Sequence, residues 1–143
     1  MPIKPDDVIL SKCAIIERCI RRIHEEYEAD PSFSSFTHMD AMILNIERAC
    51  QAAIDSAMHV IARQKLGIPK NSGDAFTLLQ CSGIITAELA NRLKAMTGFR
   101  NIAVYQYQEI DADILHHIAK EGWKDFVEFC AKLEIKIDLI RQK

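Results

Sequence analysis

The chain has 143 residues, 49% of them hydrophobic and 27% charged, with a formal net charge of -2. That length suits a single domain with a real core, expected over residues 1–143, and the composition is ordinary for a globular protein. The near-neutral charge excludes a protein that coats nucleic acid by bulk charge, so an RNA substrate would need a local basic cluster.

In chain order, Pro2 and Pro5 predict an extended start, and Asp6 or Asp7 can cap a first helix by accepting free amides of its first turn. Val8, Ile9, Ile16, Ile20, Ile23 and Tyr27 recur at helical spacing. Asp30, Pro31 and Ser32 end the helix, and Phe33 and Phe36 are expected to tuck a loop against the core. Thr37 or Asp40 is expected to cap a second helix running to about Leu66. Its apolar face is wide, from Ile43, Leu44 and Ile46 through Cys50, Ala53, Ile54, Ala57 and Met58 to Ile61. The alanines permit close approach of neighbouring helices. Gly67 and Pro69 stop it.

Lys70 to Asp74 reads as a polar loop. Ala75 to Cys81 follows as a short helical turn anchored by Phe76, Leu78 and Leu79, and Gly83 breaks it. Thr86 starts a further helix with Leu89, Leu93 and Met96 turned inward. Gly98, near its end, costs about 1 kcal/mol in a helix interior, so it marks a kink or the close approach of a partner backbone. Asp111 is expected to cap a last helix. There Ile114, Leu115, Ile118, Phe126, Phe129, Cys130, Leu133 and Ile137 repeat at intervals of three and four, Gly122 interrupts, and Trp123 fills the gap. No sustained period-2 alternation or hairpin dipeptide is present. The expected class is all-α, an up-and-down bundle of four or five helices.

Two basic clusters are candidates for RNA contact, Arg18, Arg21 and Arg22 on one hand, Arg92, Lys94 and Arg100 on the other. A solvated helix face is the plainer reading of each. The five cysteines, at 13, 19, 50, 81 and 130, are odd in number and lack the close spacing of a zinc site. They are expected reduced and mostly buried. No apolar run approaches the roughly 20 residues that span a bilayer, and MPIKPDDVIL has no signal-peptide layout. A cytoplasmic protein with no membrane partner, cofactor or metal is expected.

The chemistry concentrates in Gly98 to Gln108, GFRNIAVYQYQ, where an arginine, an asparagine and two tyrosines crowd among Ile102, Ala103 and Val104. If the segment begins as helix, residues four apart share a face and residues five apart stay close. Arg100 and Tyr105 are then expected to point toward one cleft, with Tyr107 beyond or beside it.

This run resembles the signature of HEPN-domain toxins of the HepT type. That signature is an arginine with a polar residue next to it, a histidine five positions after the arginine, and a tyrosine two further on. Arg100, Asn101 and Tyr107 match, and Tyr105 stands where the family carries its catalytic histidine. The segments IERCIRRI, LNIERACQAAIDSAMHVI, LGIP, AFTLL and YQEIDADILHHI resemble the family along nearly the whole chain. The resemblance implies a HEPN-like bundle and the toxin of a type VII HepT/MntA toxin–antitoxin system. It implies a metal-independent endoribonuclease acting on RNA, whether tRNA or mRNA, with arginine and histidine in one cleft commonly completed by dimerisation. It also implies a partner, an MntA-type nucleotidyltransferase antitoxin, that modifies the motif tyrosine with AMP, here Tyr107.

RNA carries its own nucleophile in the 2′-hydroxyl. Cleavage needs that hydroxyl deprotonated, the phosphate charge stabilised and the leaving oxygen protonated. Arg100 suits the second task through its permanent charge and paired donors. Histidine suits the proton transfers. Tyr105 does not, because a phenol with a reference pKa near 10 is only about one part in a thousand phenolate at pH 7, a handicap of about 4 kcal/mol. Arg100 would have to recover about three units of that. Tyr105 is therefore an inactivating replacement, a natural variant of reduced activity, or a group performing modified chemistry, and the first two are favoured.

Asn101 reads equally as a helix-end cap and as a supporting polar site residue. His116 and His117 read as packing or solvated residues before they read as substitute proton carriers. Adding phosphate and adenosine to Tyr107 would block the cleft by bulk and occupy Arg100 with negative charge. A competing class is a non-catalytic helical binding module that docks a nucleotidyltransferase, and the absent histidine is its support. A homodimer is expected under either reading, since the apolar faces exceed what one short bundle buries and a twofold axis can bring two copies of Arg100 together.

Overall fold

A computed structural model of the chain describes residues 3–139; Pro2, read above as extended, lies outside them. Every regular element among the described residues is helical. Helix α1, Asp7–Ala29, starts on Asp6, whose carboxylate accepts the Ile9 amide at 3.0 Å. Its stripe of Ile9, Cys13, Ile16, Cys19, Ile20 and Ile23 is buried.

Helix α2, Phe36–Gln64, begins earlier than the expected caps Thr37 and Asp40 allow, and its N-cap Ser35 makes no side-chain cap bond. The organising group is Asp30, a buried carboxylate at the end of α1. It accepts the Ser34 and Ser35 amides at 3.1 and 2.7 Å and the Ser34 hydroxyl at 2.7 Å. One side chain thus ties the Ser34 and Ser35 amides of the α1–α2 corner, and Asp40 takes another partner. Phe33, at φ 55°, packs on Tyr27 at 5.8 Å as expected. Phe36 does not tuck in: it is the first residue of α2, has no turn before it to cover its ring, and is 79% exposed. At the far end Lys65, at φ 55°, makes the left-handed stop before Gly67 does.

Helix α3, Ser72–Cys81, starts upstream of the expected turn because Asn71 caps it, accepting the Asp74 amide at 2.8 Å. Helix α4, Ala87–Tyr105, is capped by Thr86 as expected, through the Leu89 amide at 3.1 Å. It runs unbroken past Gly98, and a Cβ placed there would meet nothing within 4 Å. Within the chain, no other element comes close to Gly98.

A 3₁₀ turn, Tyr107–Glu109, leads to α5, Ala112–His117, a π turn, Ile118–Gly122, and α6, Trp123–Lys132. Asp111 caps α5 through the Asp113 amide at 2.9 Å. The interruption expected at Gly122 is this π turn, and there a Cβ would lie 3.0 Å from Met96 Cε of α4. Trp123 is half-buried, edge-on to His24 with ring centres 4.6 Å apart.

Helix α1 packs along α2, α2 against α4, and α4 and α1 against α6, around one apolar core. Phe76 and Phe129 meet in it edge to face at 5.8 Å, and burying each ring contributes roughly 1.5–3 kcal/mol. Three residues expected inward, Val8, Leu44 and Ile114, are instead 40–42% exposed at the margins of their stripes. Ile137 is buried, though beyond the end of α6. All five cysteines are free, and only Cys81 among them is exposed. Among the described residues no helix is long and apolar enough to cross a membrane.

Candidate functional site

The final turns of α4 carry the motif to the seam with α2. Arg100 is half-buried there. One terminal nitrogen donates to Gln51 Oε1 at 2.6 Å and the other to Asn101 Oδ1 at 2.9 Å. Its Nε is buried without a partner. Gln51 is held in turn, since its amide nitrogen donates to Asp55 Oδ1 at 2.8 Å, and Lys12 Nζ of α1 donates to Asp55 Oδ2 at 3.1 Å. The Asp55 carboxylate can only accept, so it takes the amide nitrogen and leaves the amide oxygen to face the guanidinium. A row from Lys12 through Asp55 and Gln51 thus fixes one end of Arg100.

Cys50 lies on the same seam, with its thiol 3.5 Å from the Met96 carbonyl. Burial pushes that thiol up to about 12 against the opposing pull of Arg100, so it is an inert packing group.

Tyr105 is the last residue of α4 and is 77% exposed. Five residues of α-helix separate it from Arg100 by about 140° around the axis. Within one chain the two therefore do not converge on a single cleft as expected, because the helix continues through both. Asn101 bridges the difference. It lies four residues before Tyr105, on the same face, and holds one nitrogen of Arg100 toward that face.

Tyr107 lies past the helix end, where Gln106 breaks the α conformation. Its hydroxyl donates to Asp40 Oδ1 of α2. Burial first, and then the Asp40 carboxylate, push its pKa up to about 12. The ring walls a groove of about 400 Å³ lined also by Phe36, Met39, Ile43, Ile110 and Leu115. Tyr105 and Tyr107 are thus chemically distinct phenols, one in solvent and one bonded to a carboxylate.

The histidines after the motif lie elsewhere. His116 Nδ1 is 2.7 Å from the Tyr27 hydroxyl, and its ring stacks on Phe33 at 4.4 Å, a packing role. His117 is exposed beside a separate cavity of about 150 Å³ next to Arg92 and Asp125. Three of the six residues in the two basic clusters are paired with acids. Arg21 meets Glu17 at 2.7 Å and Arg22 meets Glu25 at 3.2 Å. Arg92 meets Asp125 at 2.8 Å and Glu128 at 2.9 Å. Among the described residues no group of three or more His, Cys, Asp or Glu side chains is placed to hold a metal ion.

Two neighbours of the motif side chains, Gln51 and Asp40, escape a reading of the motif alone. Gln51 could have been noticed as a long amide among the alanines of α2. Asp40 carries no signal beyond its place near a helix start, where a carboxylate is ordinary.

The family described as "Ribonuclease HepT-like" matches residues 13–133. The chain is 46% identical over 125 residues to the mRNA nuclease HepT of Shewanella oneidensis, covering 87% of this chain and 94% of that one. It is 32% identical over 87 residues to the tRNA nuclease HepT of Aphanizomenon flos-aquae, covering 61% and 59%. Among solved structures, it matches the tri-AMPylated Shewanella oneidensis HEPN toxin in complex with MNT antitoxin. There the TM-score is 0.86 at 44% identity, covering 91% of this chain and 98% of that one.

Proposed function

This chain belongs to the HepT-like ribonuclease family, and from that premise we propose that it is the toxin of a toxin–antitoxin pair, an endoribonuclease whose partner is an MntA-like nucleotidyltransferase. Arg100 binds and stabilises the scissile phosphate, Asn101 orients it, and Tyr105 occupies the position of the proton carrier. The arrangement is homodimeric, RNA is the substrate, and the place of action is the cytoplasm. Tyr107 is the residue that receives AMP. A phosphodiester there would add negative charge and bulk to the motif, where it would compete with an RNA phosphate for Arg100.

One observation carries this reading. A guanidinium is fixed from two sides, by Gln51 and Asn101, with a third nitrogen buried and unpartnered. Arg92, earlier on the same helix, meets two carboxylates, Asp125 and Glu128. Arg100 is instead oriented by neutral acceptors, which leave its positive charge available to a phosphate. Dimerisation supplies what the monomer lacks, because Tyr105 and Val104, 77% and 40% exposed, present an apolar face at the motif.

Tyr105 attenuates the chemistry, since a phenol with a reference pKa near 10 is a poor proton carrier at neutral pH. The test is expression of Tyr105→His beside the native chain. Strong growth inhibition and RNA cleavage by the substituted protein, lost again on Arg100→Ala, are expected. If both forms fold and neither cuts RNA, the second reading stands: a non-catalytic module that docks the nucleotidyltransferase. The observation favouring that reading is the same exposed Tyr105.

A further inference from the structure

We propose that Asp40 is the proton acceptor for nucleotidyl transfer onto Tyr107, and that the same carboxylate then expels the modified side chain from its resting place. The inference rests on the proposal that Tyr107 is the modified residue; the assignment to Asp40 comes from the geometry.

The Tyr107 hydroxyl donates to Asp40 Oδ1, from a segment just past the end of α4 to the first turns of α2. A phenol so placed has its hydrogen directed at a base and its lone pairs turned away from it. The residue is 45% exposed, which leaves it open to a nucleotide-bearing partner. The residues walling the adjoining groove, Phe36, Met39, Ile43, Ile110 and Leu115, carry no charge. Asp40 is the carboxylic side chain in contact with this hydroxyl. The arrangement has the logic of hydroxyl phosphorylation, in which a carboxylate orients the acceptor and takes its proton late.

The step balances as follows. The Tyr107 oxygen attacks the α-phosphorus of a nucleoside triphosphate held with its magnesium by the partner enzyme. The oxygen–phosphorus bond forms as the bond to the β-phosphate bridging oxygen breaks, and pyrophosphate leaves with the electron pair. The phenolic proton passes to Asp40 and from there to water. The product has no proton left to donate and carries a negative phosphodiester beside a carboxylate. Two anions then occupy the place of one hydrogen bond, and the modified tyrosine swings away from Asp40. The transferred group thereby becomes available to the only positively charged motif residue, Arg100.

The experiment incubates the purified chain with an MntA-type nucleotidyltransferase and magnesium ATP, and follows intact mass with time for the native chain, Asp40→Asn, Asp40→Glu and Tyr107→Phe. The native chain is expected to gain AMP and Tyr107→Phe to gain none. Asp40→Asn is expected to react about 100-fold more slowly at pH 7, the lower end of what a positioned base contributes. That gap should narrow as pH rises past about 10, the reference value of a phenol, because without the Asp40 carboxylate only burial still holds the Tyr107 hydroxyl neutral. Asp40→Glu should recover much of the rate, and partner binding should be unchanged in all four. A native rate for Asp40→Asn, with Tyr107→Phe blank, overturns the role of Asp40 and leaves the modification site intact. A slow Asp40→Asn whose deficit is the same at every pH overturns proton acceptance. An unmodified native chain, or one modified equally as Tyr107→Phe, removes the site itself and this inference with it.

Discussion

Arg100 and Gln51 face each other across the seam of α4 and α2, the guanidinium donating to the amide oxygen at 2.6 Å. The amide cannot turn away, because Asp55 holds its nitrogen at 2.8 Å. Gln51 therefore aims Arg100 without neutralising it. In a Tyr105→His background, Gln51→Ala should reduce RNA cleavage about tenfold, since the charge remains but its aim is lost. Gln51→Glu should reduce it further, by about 100-fold, because a carboxylate cancels the charge meant for phosphate and has no donor left for Asp55. Single-turnover cleavage of a labelled RNA checks both, and an active Gln51→Glu would show that Arg100 does not act through its charge.

Two of the helical glycines, Gly98 and Gly122, respond differently to a methyl group. At Gly98 a Cβ meets nothing within 4 Å. Alanine there should stabilise the chain by about 0.5–1 kcal/mol, the propensity difference in a helix. At Gly122 the same Cβ would sit 3.0 Å from Met96 Cε. The flexible end of that methionine can shift, so the propensity gain is largely offset, and the net change should stay within about 1 kcal/mol of zero. Urea titration of both variants tests the pair, and Gly122→Ala should be the less stable.

Much of the bundle is legible in the residue pattern. The isoleucine stripe of α1, the Thr86 and Asp111 caps and the break at Gly122 each rest on local chemistry, and each stands where the pattern puts it. The α1–α2 corner is not legible, because Asp30 and Ser35 are both ordinary turn residues. Which carboxylate caps which amide depends on the three-dimensional path. Phe36 shows the same limit, since a phenylalanine at a helix end is buried only if something lies beyond it. In the motif, Arg100 and Tyr107 are visible as residue types, but their partners come from α2, 49 and 67 residues away in sequence. No local spacing encodes those pairings.

The Tyr107 phenol should ionise well above an ordinary tyrosine, at about 12, through burial and then the Asp40 carboxylate. A raised pKa means that the folded state favours the neutral phenol. The associated stabilisation is fully present below the unfolded value of about 10 and is lost as pH rises from there toward 12. Ultraviolet titration of phenolate should show one late tyrosine in the native chain. Tyr107→Phe should abolish that late step, and Asp40→Asn should move it down toward 10. An unchanged titration in Asp40→Asn would assign the shift to burial alone.

Acid stability turns on the other end of the bundle, where Asp6 caps α1 and reaches α2. His59 Nε2 lies 2.6 Å from Asp6 Oδ2, and Arg63 donates to the same oxygen at 2.7 Å. The His59 contact, the Ile9 amide and Arg63 together hold this carboxyl well below the usual carboxylate range. A depressed folded pKa means that the charged form is favoured in the native state. Its stabilisation is therefore present above the unfolded value of about 3.9 and is lost as pH falls through the folded value. Asp6→Asn keeps an acceptor for the Ile9 amide but removes the charge that His59 and Arg63 contact. Its melting temperature should lie below the native one at pH 7, and the two curves should approach each other as pH falls below about 4. Thermal melts at a series of pH values decide it. A deficit that stays constant to pH 3 would mean that the cap geometry, and not the charge, is what Asp6 contributes.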